Sequence, residues 1–143
     1  MSTLSPDQVP AAEQGLTQQQ CNEMLPLVRA IAAELSERRE IYSILMRRRA
    51  ELARAATPEG LNSAIAELDA CLWDQEQGIL RACRELASNH LSLHTLSPII
   101  VHFPHIEDDA VYCWREDEPR ITHEHARGSN SGEHCSAIPY RGE

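Results

Sequence analysis

The chain has 143 residues, a mass of 16.1 kDa and a formal net charge of −9, from 13 basic and 22 acidic residues. This length corresponds to one domain. Every basic residue is arginine and only 4% of the residues are aromatic, which argues against general nucleic-acid binding; no apolar run reaches the roughly 18 residues of a membrane span.

The two ends of the chain differ in composition from its middle. Residues 1–15 show no basic region followed by an apolar stretch, so we expect no secretory signal and a cytoplasmic location. In that reducing compartment the five cysteines should be thiols or metal ligands rather than disulfides. We interpret residues 1–15 as a flexible arm, 16–125 as a single domain, and 126–143 as a poorly ordered tail.

The first helix is predicted over residues 17–56. Thr17 and Gln20 have the spacing of a capping box, and Pro26 is expected to bend the early part of the helix. Apolar residues then recur in alternating steps of three and four, which is typical of a coiled coil. This seam consists of Cys21, Met24, Val28, Ile31, Leu35, Arg38, Tyr42, Leu45, Arg49 and Leu52. Its two arginines are costly to bury alone, so we expect them to pair with carboxylates or reach solvent.

The second helix is predicted over residues 58–88. Thr57 and Pro58 suit the N-cap and the first helical position, whereas Gly78 weakens the interior by about 1 kcal/mol relative to alanine. The second seam consists of Leu61, Ile65, Leu68, Leu72, Gln75, Ile79, Ala82 and Leu86. So short a connection between two long helices predicts an antiparallel hairpin.

After Asn89 the pattern changes to a period of two, which predicts a β-meander over residues 90–125. The sequence therefore predicts an α+β fold: a long, coiled-coil-like antiparallel two-helix hairpin followed by a small antiparallel β-sheet. Two helices cannot cover each other's apolar stripes completely. We expect the sheet or a second copy to cover the rest, and a homodimer forming a four-helix bundle is the assembly we favour.

Several short motifs are spaced along the chain. They are Leu16-Thr17, Leu25-Pro26, Val101-His102-Phe103-Pro104, Cys113-Trp114, Glu118-Pro119-Arg120-Ile121, and Glu124-His125 with Gly128. Together they resemble, over residues 16–128, a family of small bacterial proteins classed only as a domain of unknown function. The resemblance implies a long helical hairpin with a C-terminal signature, and it implies no activity. His102 stands where that family prefers Asp, and Glu124 where it prefers Trp, so the chemistry of any family site is expected to be altered here.

All seven histidines lie beyond residue 89, in the half predicted to form the sheet. They are His90, His94, His102, His105, His123, His125 and His134. Imidazole and thiolate are preferred ligands of Zn²⁺ and related metals. From the predicted strands we select a candidate site for zinc or another divalent transition metal, made of His102, Cys113, His123, His125 and Glu118, with His105 nearby. The spacing matches no established zinc motif, so the alternative is a set of polar residues on a small sheet.

Strand register decides whether these residues meet. If Phe103 pairs with Ala110, His102 and Cys113 share one face of the sheet, and the more apolar face packs on the helices.

The third strand is open to three registers, which have two outcomes. If Arg115 pairs with Ile121, or Trp114 with Arg120, His123 and His125 join the face of Cys113. If Arg115 pairs with Arg120, they lie on the opposite face. Ile121 shares the parity of the two histidines and favours the core, which argues against a site shared with Cys113.

Other chemistry is less well supported by the sequence. Cys113 with His125 as a base is a candidate nucleophile, and residues 116–118 offer carboxylates that are more typical of a solvated turn. No complete catalytic constellation is present, so we do not expect an enzyme. The arginines of residues 38–54 and the seven carboxylates of residues 107–124 are expected to attract each other, within or between chains, rather than to bind phosphate or an acidic partner. Two functions remain: a non-catalytic metal-binding protein, and a structural or partner-binding module that acts through its helical hairpin.

Overall fold

A computed structural model of the chain describes residues 15–55, 58–107, 109–126 and 136–137. The expected arm, apart from Gly15, and most of the expected tail lie outside these ranges. The helices are α1 (Gln18–Glu23), α2 (Leu25–Arg54) and α3 (Pro58–Ser88); the strands are β1 (Ser92–Leu96), β2 (Ile99–Pro104), β3 (Ala110–Arg115), β4 (His123–Ala126) and β5 (Ser136–Ala137).

The first predicted helix is divided into α1 and α2 at Met24. Thr17 forms the expected capping box, in which Gln20 N–H donates to the Thr17 hydroxyl at 3.2 Å and Thr17 N–H donates to the Gln20 side chain at 2.8 Å. Pro26 lies in the first turn of α2, where its missing N–H breaks no helical hydrogen bond. The proline therefore marks the start of a second helix.

Helices α2 and α3 pack together as the predicted antiparallel hairpin. Both arginines of the first seam contact polar side chains of α3, but only Arg49 meets there the carboxylate that we expected. The carboxylate near Arg38 is Glu34 of its own helix, 3.7 Å from Nε. Arg49 Nε lies 2.6 Å from Asp69 Oδ1, and Arg38 Nη1 donates to Gln75 Oε1 at 3.2 Å. Gln75 is itself the polar position of the second seam, so the two interruptions of the apolar pattern pair with each other.

Gly78 allows Arg38 to lie across α3. A Cβ atom at Gly78 would be only 2.2 Å from Cζ of Arg38. Gly78 lowers the intrinsic stability of α3, but it is also the position over which the Arg38 guanidinium packs.

The strands form one antiparallel sheet in chain order, with β5 limited to two residues at its edge. One face of β2 and β3 packs against the helices. The buried cluster joining helices and sheet contains Cys21, Leu25, Val28, Ile31, Ala32, Leu35, Ala82, Leu86, Leu91, Ile99, Val101, Phe103, Tyr112, Trp114 and Ile121. The predicted α+β class is thus confirmed.

Hydrogen bonds also hold the sheet against the N-terminal segment and α2. Leu16 N–H donates to Pro104 O at 2.9 Å, and Ile106 N–H donates to Leu16 O at 3.2 Å. Gly15 permits this approach because a Cβ there would lie 2.6 Å from the backbone oxygen of His105. Within the ranges above, no helix has both the length and the apolar character needed to span a membrane.

Arg39 on α2 forms an ion pair with Glu116, with Nη1 3.1 Å from Oε2. The expected attraction between the arginine-rich helix and the acidic C-terminal half is realised at this contact. The carboxylate also accepts the Ile99 N–H at 2.6 Å, so this ion pair connects α2 to both β2 and the end of β3.

Candidate metal centre

The register between β2 and β3 places His102 directly opposite Cys113. Phe103 pairs with Tyr112 rather than with Ala110, so the register that we used as an example is wrong by two residues. A shift of two preserves the alternation of faces. The expected outcome therefore stands: His102 and Cys113 share the face opposite the helical core.

The register between β3 and β4 follows the first of the two alternatives. Cys113 pairs with His123, and Val111 pairs with His125, which places both histidines on the Cys113 face. The parity argument based on Ile121 is wrong because Ile121 precedes β4 and does not follow its alternation. Its side chain is fully buried in the core while its N–H donates to Asn22 Oδ1 at 2.7 Å.

Three of the five predicted ligands converge on this face. His102, Cys113 and His125 each offer one ligand atom, and these atoms all lie within 4.8 Å of one another. Cys113 and His125 are 3% and 8% exposed, and His102 is half-buried. It is the only such group of metal-ligating side chains in the part of the chain that the structure describes.

The orientation of His125 suits a metal ligand. Its Nδ1 lies 3.0 Å from the carbonyl oxygen of Ala126, which can only accept a hydrogen bond. Nδ1 therefore carries the proton, and the lone pair of neutral His125 is on Nε2. This Nε2 lies 3.1 Å from Nε2 of His102. A backbone acceptor for the second ring nitrogen is the usual support of metal-bound histidines.

His102 is neutral at ordinary pH. Burial, together with the neighbouring rings of His94 and His125, lowers the pKa of His102 to about 4. A metal ligand must be unprotonated, so this ring requires no deprotonation before coordination near pH 7.

The other two predicted ligands form a pair of their own beside the group. His123 Nδ1 lies 2.9 Å from Glu118 Oε2, and the Thr122 hydroxyl lies 3.1 Å from the same nitrogen. Glu118 also accepts the Arg115 N–H at 2.8 Å. The structure therefore separates the five candidates into a cluster of three and an adjacent His–Glu pair.

The family model of an uncharacterized conserved protein, DUF2203, matches residues 16–131. The chain belongs to the DUF2203 family. No curated protein and no solved structure matches it. The family assignment thus agrees with the resemblance to a domain of unknown function and adds no activity.

His105 does not join the cluster in this DUF2203 chain. Its buried ring stacks on Tyr112 with centroids 4.3 Å apart, Nε2 lies 2.7 Å from Glu124 Oε2, and Nδ1 accepts the Glu107 N–H at 2.9 Å. Both ring nitrogens are therefore engaged in holding the β2–β3 loop against β4. Glu124 thus has a partner in His105.

One histidine that lies beside this group was not among the predicted ligands. His94 stacks on His102, with ring centroids 4.3 Å apart and an interplanar angle of 18°, and its centroid lies 6.5 Å from that of His125. A signal was present, because Leu91 and Leu93 face the core and a period of two then directs His94 to the other face.

Proposed function

We propose that this chain binds a divalent transition metal, with Zn²⁺ as the leading candidate, through His102, Cys113 and His125 in a non-catalytic site. The observation that carries the proposal is the convergence of two imidazoles and one thiol from three adjacent strands. Such nitrogen and sulfur donors favour zinc and related metals over Mg²⁺ or Ca²⁺. A thiol ligand needs reducing conditions, which is consistent with a cytoplasmic location as part of this proposal.

The distance between the two imidazole nitrogens supports the proposal. In a tetrahedral zinc site with Zn–N bonds of about 2.0 Å, two nitrogen ligands lie roughly 3.3 Å apart. The Nε2 atoms of His102 and His125 are 3.1 Å apart. Without a metal, this contact requires one ring to donate to the other. A metal ion placed between them would accept a lone pair from each neutral ring and from Cys113 as a thiolate, with release of the thiol proton.

Metal analysis of protein purified without a histidine tag tests the proposal. We expect about one zinc per chain, retained through gel filtration, and its loss in Cys113→Ser and in His125→Ala. His123→Ala is the matched control, because His123 lies on the same face but is paired with Glu118; we expect it to keep the metal. Circular dichroism establishes that each variant is folded. Wild-type protein that stays folded and takes up no zinc, cobalt or nickel would exclude the proposal.

We propose as a second function that the hairpin assembles with a second copy of the chain. Trp73, Leu80 and Met46 are 60%, 46% and 44% exposed on the outer faces of α2 and α3. The groove containing Met46 and Trp73 is bordered by Arg49 and Glu76. In a two-fold interface the same patch of both copies comes together, so the patch must be complementary to itself. A border that carries both a positive and a negative side chain meets this requirement.

Sedimentation analysis at high micromolar concentration tests this second proposal. We expect a dimer for the wild type and a monomer for Trp73→Glu. Ile106→Glu is the control, because Ile106 is 53% exposed but lies in the β2–β3 loop, so this variant should remain dimeric. A monomer of 16.1 kDa for the wild type at that concentration would contradict the proposal. Metal-free protein that dimerises would favour the hairpin function alone.

A further inference from the structure

The residue that follows Leu93 is displaced by an irregularity in the sheet. Leu93 pairs with Val101, but Thr95 pairs with Ile100, so one residue of β1 is inserted between consecutive residues of β2. The inserted residue is His94. A β-bulge of this kind redirects a side chain, and bulges are enriched beside functional sites.

The bulge carries a third imidazole beside the proposed metal site. We infer that His94 is the fourth ligand, completing a closed His₃Cys centre to which four strands or strand ends contribute. This inference rests on the proposed metal binding, and it adds that no coordination position is left for water or substrate. A closed tetrahedral site is typical of a metal that stabilises or signals, whereas catalytic zinc keeps an open position.

The spacing of the three rings supports this assignment. Around a tetrahedral zinc ion, with about 2.0 Å from metal to nitrogen and roughly 1 Å from nitrogen to ring centre, imidazole centroids lie about 5 Å apart. The observed distances are 4.3 Å for His94–His102, 4.7 Å for His102–His125 and 6.5 Å for His94–His125. Coordination requires His94 to tilt out of its stacked position toward His125, which its exposure to solvent permits.

The nearest alternative donors are engaged elsewhere. His123 lies beside Cys113 in the register, yet its Nδ1 contacts Glu118 at 2.9 Å. Glu118 in turn accepts the Arg115 N–H. Recruiting either of them would break this pair, whereas recruiting His94 would break only a ring stack.

Cobalt substitution tests the inference, because Co²⁺ reports its coordination number through the intensity of its visible absorption. We expect wild-type protein to bind Co²⁺ with the intense bands of a four-coordinate thiolate site, unchanged by added azide. In His94→Ala we expect at least about tenfold weaker binding, and a spectrum that changes with azide as the opened position is filled. His90→Asn is the control, since His90 is an exposed histidine outside the cluster at a left-handed position (φ 64°) that asparagine tolerates.

Different outcomes test the role of His94 and the three-ligand site. Azide binding to wild-type cobalt protein, or a His94→Ala variant with wild-type affinity and spectrum, would overturn the role of His94 and leave the three-ligand site intact. Wild-type protein that binds no Co²⁺ at all would overturn both. Because His94 is exposed, we expect the variant to fold, and circular dichroism of the metal-free proteins checks this.

Discussion

Glu116 connects the helical hairpin to the sheet that carries the proposed site, and its replacement by alanine is expected to be costly. Its carboxylate accepts the Ile99 N–H at 2.6 Å and two N–H groups of Arg39 at 3.1 and 3.4 Å. Arg39 also donates to the carbonyl of Leu96 at 2.9 Å. The Arg39–Glu116 pair therefore joins α2 to the end of β1, the start of β2 and the end of β3.

The expected loss of stability follows from the interactions that Arg39 and Ile99 lose. The side chains of Arg39 and Glu116 are 25% and 31% exposed, so their ion pair lies near the upper end of the range for surface pairs, about 1 kcal/mol. Removing a charged acceptor from the N–H of buried Ile99 adds about 1.5–2 kcal/mol. We therefore expect Glu116→Ala to reduce the free energy of unfolding by about 3 kcal/mol, and Glu116→Gln, which keeps an acceptor for Ile99, by about 1 kcal/mol.

Urea unfolding of the metal-free protein measures these values. At this chain length 1 kcal/mol corresponds to about 4 °C in Tm, so thermal unfolding should show losses of roughly 12 and 4 °C. Asp117→Asn is the matched control, because Asp117 Oδ1 forms an ion pair with Arg115 Nε at 2.7 Å but its side chain is 63% exposed. We expect this variant to change the free energy of unfolding by less than about 0.5 kcal/mol. Equal effects of Glu116→Ala and Asp117→Asn would refute the reasoning.

The same contact predicts a pH dependence. Burial alone would raise the pKa of Glu116, but the hydrogen bonds from Arg39 and from the Ile99 N–H outweigh it and lower the pKa below the usual 4.5. A carboxyl group whose pKa is lowered on folding stabilises the protein above its ordinary pKa and loses that contribution as pH falls through the folded value. The stability difference between wild type and Glu116→Gln should therefore shrink between about pH 6 and pH 3. A difference that grows over this interval would contradict the assignment.

Two further predictions concern Gly78 and the ring protons of two histidines. Alanine in a helix is favoured over glycine by about 1 kcal/mol, but at Gly78 it would displace the Arg38 guanidinium. We therefore expect Gly78→Ala to leave the free energy of unfolding of the wild type without gain, and to raise it by about 1 kcal/mol in an Arg38→Ala background. Equal gains in the two backgrounds, measured by urea unfolding, would contradict this. In metal-free protein we expect neutral His105 to carry its proton on Nε2, because Nδ1 accepts the Glu107 N–H, and His125 to carry it on Nδ1. Long-range proton–nitrogen NMR distinguishes the two tautomers, and the same tautomer on both rings would show the assignment to be wrong.

The helical half of the molecule could be predicted from the sequence because its signals are local and repeated. The capping box at Thr17 and the two apolar seams follow from residues three and four apart. What the seam could not reveal is the partner of each polar interruption. Arg38 donates to Gln75, and Gly78 leaves space for the Arg38 guanidinium. These contacts depend on how far the two helices are shifted along their axes. The short connection fixes the relative direction of the helices but not this shift.

The sheet was predicted to the level of its faces and not to the level of its contacts. Alternation alone placed His102 and Cys113 on the same face. The error of two residues in the assumed β2–β3 register left this face assignment unchanged. The third strand could not be decided, because Ile121 was treated as part of a strand that begins two residues later. The residue at which a strand starts depends on long-range hydrogen bonds, such as the one from Ile121 N–H to Asn22. Such bonds join residues about a hundred positions apart and leave no local pattern in the sequence.

The concentration of histidines beyond residue 89 has several causes rather than one. His90 occupies a left-handed position after α3, where Leu91 N–H closes back on Leu86 O at 2.9 Å. His105 holds a loop, and His123 pairs with a carboxylate. A count of histidines therefore says little about metal binding. His94, His102 and His125 differ from these in that they come from three different strands and lie on the same face of the sheet, around Cys113.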